Sequence, residues 1–198
     1  MIGPSRGQRR LLLLALGPCL LAGPEGQIGS KGISEGELKV RFFEAVCRFL
    51  EWPGAADKQR PFVLGILGDP QGSSADPNFD PVAVTLLKSL RQGTVRGRKV
   101  VTRTVISEAE IAECQALYVP RPLSRHLRSM AKLAKVHGIL LWADVPGGGL
   151  AGAHVNLFMA GTYVRYELNL PALKEARFQV APGLLAHAVM VSTPGGKP

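Results

Sequence analysis

The chain has 198 residues, 46% of them hydrophobic and 20% charged, with 24 basic against 15 acidic side chains and a formal net charge of +9. That length and apolar content supply the core of one ordinary domain. The basic excess is densest at Arg91, Arg96, Arg98, Lys99 and Arg103, but it lacks the interleaved aromatics of a nucleic-acid binder, so nucleic acid is not an expected partner.

In chain order, Arg6, Arg9 and Arg10 precede an apolar run from Leu11 to Leu21, and small residues follow at Ala22 and Gly23. A basic start, an apolar stretch of about 7–15 residues and a small-residue exit make a secretory signal peptide. The run is too short for a spanning helix, which needs about 20 apolar residues. Residues 1–23 are therefore expected to direct export, which sets aside most cytosolic functions. Pro18 directly before Cys19 argues against lipid attachment there. Without the three leader arginines, 21 basic and 15 acidic residues leave +6. Residues 24–36 read as a flexible lead-in, 37–192 as the folded domain and 193–198 as a tail.

Within the domain, Glu37 to Trp52 carries Leu38, Phe42, Val46, Phe49 and Leu50 at helical spacing, with charged residues between them. Val40, Phe43 and Cys47 extend the apolar surface beyond one stripe, as in a deeply packed or interfacial helix. Phe62 to Gly68 is a short apolar run, the pattern of a strand buried on both faces. The segment 69–78 reads as loop. Asp80-Pro81 opens a helix toward Arg91, with Asp as N-cap and Pro first inside. Lys99–Ile106 alternates as a strand, and Ser107-Glu-Ala-Glu110 is a capping box. Ala116–Val119 and Ile139–Trp142 are further strands around a helix over Pro122–His137. His154–Met159 and Tyr163–Leu170 form a hairpin across residues 160–162, and helical pieces follow at 171–177 and 182–190. The pattern predicts a single three-layer α/β domain: a mainly parallel sheet with an appended antiparallel hairpin and helices on both faces.

Chemistry is sparse in the sequence. No two of His126, His137, His154 and His187 have the spacing that shares a metal on a helix, and no nucleophile elbow or CxxC pair is present. The residues alone therefore give no recognisable active site and call for no cofactor, which leaves an enzyme of unknown type as a weaker reading. Cys47 and Cys114 could bridge in an oxidising compartment or could both be buried thiols. The glycines at 147–149 lack a following Lys or Ser/Thr, so a mobile surface turn is expected there in preference to a phosphate loop. Arg165 and Glu167, two apart on a strand, read as a structural ion pair. Asp69 and Asp144 follow buried strands, where open α/β sheets place ligand groups, and are the ligand-cleft candidates of an alternative small-ligand binding reading.

Taken together, several ordered motifs resemble the YfiR family of periplasmic proteins. They are Lys39-Val-Arg-Phe-Phe43, Phe49-Leu-Glu-Trp-Pro53, Gly93-Thr-Val-Arg-Gly-Arg-Lys-Val100 and Cys114-Gln-Ala-Leu-Tyr-Val119, followed by Asp144-Val-Pro-Gly147, Val155-Asn-Leu157 and Val164-Arg-Tyr-Glu-Leu-Asn-Leu170. The chain departs from the family at Gly148, where an aromatic is frequent. The resemblance implies a non-enzymatic periplasmic regulator that contacts a membrane-bound sensor, either a diguanylate cyclase or a sensor histidine kinase, and restrains its output. A homodimer and a small-molecule releasing signal stay open beside it. Phe43, Arg48 and Trp52, on the first helix and its exit, are the candidate partner contacts, because aromatics and Arg concentrate binding energy at interfaces.

Overall fold

The structure, a computed structural model, describes residues 33–53, 60–69, 80–89 and 93–194. The expected signal peptide and most of the lead-in and the 69–78 loop lie outside these residues. Helix α1 spans Glu35–Arg48, starting two residues before the expected Glu37. Ser34 sets that start: its hydroxyl accepts from Glu37 N, while the Glu37 carboxylate accepts from Ser34 N, a reciprocal capping box. The buried side of α1 is Gly36, Lys39, Val40, Phe43, Val46 and Cys47. The expected stripe is thus rotated: Leu38 and Phe42 flank the buried face, and Phe49 is 41% exposed. Lys39 causes the offset, since a charged residue is normally assigned outward and here its charge is met inside the protein.

The expected helix to Trp52 stops instead at Arg48, and strand β1 follows over Leu50–Glu51. Then come β2 (Phe62–Leu67), α2 (Pro81–Ser89), β3 (Thr94–Val95), β4 (Arg98–Val105) and α3 (Glu108–Ala112). A two-residue loop joins β3 to β4, and both of its residues, Arg96 and Gly97, have positive φ (52° and 77°), as the twist of a tight hairpin requires. Next are β5 (Ala116–Val119), a 3₁₀ segment over Arg121–His126, α4 (Leu127–His137) and β6 (Leu140–Ala143). The chain closes with β7 (Val155–Ala160), β8 (Tyr163–Leu168), α5 (Leu170–Glu175), β9 (Gln179–Val180), α6 (Pro182–Leu185) and β10 (Val189–Met190). The expected helix over 182–190 therefore ends early, and its second half adds an edge strand.

The main sheet runs β10-β8-β7-β6-β5-β2-β4-β3. Strands β4, β2, β5, β6 and β7 are parallel, while β8 returns antiparallel to β7 and β3 antiparallel to β4. Alternate residues of each strand feed two separate cores. One holds Phe62, Leu64, Tyr118 and Trp142 under α1, α2, α5 and α6. The other holds Leu117, Val119, Leu141 and Ala143 under α3, the 3₁₀ segment and α4. The three-layer arrangement is the one the alternation predicts. Because β2 leads to β4 on one side while β5 lies on the other, the connections diverge between β2 and β5. That is the switch point where doubly wound sheets open a crevice at their carboxyl ends.

Candidate functional site

The crevice is occupied by the chain's own side chains. Asp80 caps α2, its Oδ1 accepting from Val82 N at 2.9 Å and Ala83 N at 3.0 Å, and its Oδ2 accepts from Arg121 N at 3.0 Å. Tyr118, wholly buried on β5, places its hydroxyl 3.0 Å from Asp80 Oδ1 and 3.0 Å from Asp144 Oδ1. A phenol carries one proton, so that proton serves two carboxylates. Burial, followed by the charges of Asp144 and Asp80, holds the Tyr118 hydroxyl well above its ordinary pKa.

Asp144, directly after β6, is 3% exposed. Its Oδ2 accepts from Lys39 Nζ at 2.8 Å and Arg121 Nη2 at 3.0 Å. Lys39 is fully buried and also donates to Glu35 at 2.5 Å, while Arg121 Nη2 reaches the same Glu35 oxygen at 2.9 Å. The hydrogen bond from Lys39 is the main cause holding the Glu35 carboxyl below its usual range. The network thus ties the start of α1 to the carboxyl ends of β5 and β6. Lys39 and Asp144 are paired with each other, and the buried Asp80 carboxylate is met by three backbone N–H groups and the Tyr118 hydroxyl, which offset the cost of burying these charges.

Next to it the segment 144–153 is pinned from three sides. Asn156 donates to Val145 O and accepts from Val145 N. The Glu167 carboxylate accepts from Gly149 N and from Asn156 Nδ2 at 2.8 Å, and Asn169 donates to Gly149 O at 2.9 Å. Gly148 and Gly149 are buried, and a Cβ on Gly148 would lie 2.4 Å from Asn156 Oδ1. The expected mobile surface turn is therefore a clasped one, and Glu167 serves the clasp instead of an ion pair with Arg165. Its wall and the 3₁₀ segment border an open hollow of about 440 Å³.

The predicted site residues fare unevenly. Phe43 is wholly buried and stacks on Trp142 with centroids 4.1 Å apart, so it is core and not a partner contact. Trp52 is packed edge-on against Phe62 and Phe178 and donates to Gln115 O at 2.7 Å, which also gives it a structural role. Arg48 is exposed. Asp69 is half-buried after β2, and β5 separates it from Asp144 by two strand spacings, about 10 Å. Asp144 is committed to ion pairs with Lys39 and Arg121. Cys47 and Cys114 are free, buried thiols in the cores on opposite faces of the sheet, so no bridge between them forms. His154 is buried and neutral; its Nδ1 accepts from Leu141 N, and burial pulls its pKa down to about 4. Lys39, Tyr118 and Arg121 are absent from the predicted set. Lys39 was detectable, since it falls between Gly36 and Phe43 in the apolar stripe.

Among solved structures, the chain is similar to a conserved domain protein from Vibrio cholerae O1 biovar El Tor, at 12% identity and TM-score 0.52 over 80% of this chain and 60% of that one. It is similar to the same degree, 12% and 0.52, to a substrate-binding protein with adhesive properties from Clostridium difficile, over 81% of this chain and 60% of that chain. The chain therefore spans about 60% of the length of these structures, and at this identity the likeness shows the fold alone. No curated protein matches it. The family model described as YfiR/HmsC-like matches residues 36–189, which run from the first turn of α1 into β10. The chain belongs to the YfiR/HmsC-like family.

Proposed function

We propose that the chain is a non-enzymatic regulator, exported to the periplasm, that binds the periplasmic part of a membrane sensor and restrains its output. The sensor is a diguanylate cyclase or a sensor histidine kinase. The observation that carries this reading is the family match over 36–189. The filled crevice supports it, because side chains of the chain itself occupy the place where doubly wound enzymes usually hold substrate. Regulation by binding requires different affinities for two sensor states, and a full switch takes about 5.5 kcal/mol of that difference.

The contact face is Arg48, retained from the expected set, with its exposed neighbour Phe49 at the end of α1. Affinity capture from solubilised membranes, with the chain as bait, tests the proposal. Recovery of a membrane protein bearing a cytoplasmic cyclase or kinase domain supports it, provided Arg48→Glu with Phe49→Ala lowers that recovery at an unchanged melting temperature. Failure to retain any such sensor, in oxidising and reducing buffers alike, overturns it.

A further inference from the structure

We infer that the hollow beside the ion-pair network binds a small amphipathic anion, an apolar body ending in a carboxylate or phosphate. This assignment stands apart from the sensor partner. The hollow, about 440 Å³, lies open to solvent and has room for a small ligand. The lining divides by chemistry. Arg121, Ser124 and Arg125 supply its polar groups, Leu127, Val145, Pro146 and Ala151 its apolar surface, and no carboxylate side chain is among these residues. Two guanidiniums and a hydroxyl beside an apolar wall suit a ligand with one anionic end, and Arg matches carboxylate and phosphate geometry.

The donors are available. Arg121 spends Nε and Nη2 on Asp144 and Glu35, and its Nη1 makes no hydrogen bond among the described residues. Arg125 makes one bond there, from Nη1 to Pro122 O at 3.3 Å. The apolar wall is rigid, because Val145 and Ala151 belong to the segment clasped by Asn156, Glu167 and Asn169. Asn156 and Asn169 are 1% and 0% exposed. Buried, fully satisfied polar groups of this kind fix one conformation of what they hold, and a fixed wall lowers the ordering cost of binding.

Arg121 also connects the hollow to α1. An anion on Nη1 shares the guanidinium whose Nη2 holds Glu35, so occupancy is felt at the first turn of α1. The test is an amide-resolved NMR titration of the full chain with benzoate, phenyl phosphate and the neutral isostere benzamide. Benzoate and phenyl phosphate should shift amides of residues 121–126 and 145–151, and also those of Glu35 to Lys39. Benzamide should bind about tenfold more weakly, the value of one charge-assisted hydrogen bond set. Arg125→Gln, at an exposed position, should keep the melting temperature of the free chain and weaken benzoate binding severalfold. Equal binding of benzoate and benzamide, shifts that map elsewhere, or full affinity in Arg125→Gln each overturn the assignment.

Discussion

Asp144→Asn is the sharpest test of the buried network. Asp144 meets Lys39 at 2.8 Å, and both side chains are essentially inaccessible. At an effective dielectric of about 20 the attraction at this distance is about 6 kcal/mol, against a desolvation cost of several kcal/mol per ion. The pair therefore adds modest net stability, but losing one member is expensive, because the Lys39 ammonium then stays buried with only Glu35 beside it. Asp144→Asn should cost about 3 kcal/mol, in line with broken buried pairs. With a urea slope of about 2 kcal/mol per molar, that moves the unfolding midpoint down by about 1.5 M. Lys39→Met should cost less, because Asp144 keeps Arg121 at 3.0 Å. In the double variant the ammonium and the carboxylate are both gone, so its cost should fall about 2 kcal/mol short of the sum. A double-mutant cycle by equilibrium urea unfolding measures this. Additivity within about 0.5 kcal/mol, or a cost below about 1 kcal/mol for Asp144→Asn, refutes the reasoning.

His154 makes stability fall in acid. Its folded pKa of about 4 lies below the ordinary 6.5, so between those values the unfolded chain binds the extra proton. Its contribution is complete above pH 6.5 and is lost as pH falls toward 4, by about 3 kcal/mol in total. His154→Gln should flatten that part of a pH–stability curve measured by urea unfolding. Gly148→Ala should lower the melting temperature, at a cost of about 2 kcal/mol, because the added methyl meets Asn156 at 2.4 Å inside the clasp. Thermal unfolding reads that loss directly. Maleimide labelling of the native chain should be slow at Cys47 and Cys114 and unaffected by prior reductant, since both thiols are buried, unbridged and raised in pKa by burial.

The sheet was legible because its strands are long enough to show their period. Phe62–Leu67 and Ala116–Val119 appear as short apolar runs, and Tyr163–Leu168 alternates as drawn. The capping residues Asp80 and Ser107 also do what their local spacing says. Strands β1, β3, β9 and β10 have two residues each, too few for any period; β3 forms as a hairpin arm on β4, and β1 pairs with β9 about 130 residues away in sequence. The site was less legible for the same reason. Lys39 looks like a solvated charge until Asp144 is brought beside it. Phe43 and Trp52 look like surplus apolar surface until Trp142, Phe62 and Phe178 cover them. The family motifs gave the right residues without their roles: Asp144, Asn156, Glu167 and Asn169 converge on one turn, a fact of tertiary structure that no local spacing contains.

The Lys39–Asp144 bond closes a separation of 105 residues, and Phe43 stacks on Trp142 across a similar length of chain. Helix α1 is therefore made early and docked late. A chain made N-terminus first presents this helix before β6, its seat, has emerged. Until then Phe43, Val46 and a Lys39 paired only with Glu35 face solvent, and the helix has too few turns to be stable alone. Assembly must wait on a non-local closure, which makes it slow compared with local helix pairing. The first segment to arrive is thus the one most in need of a temporary escort, and its docking marks the completion of the fold.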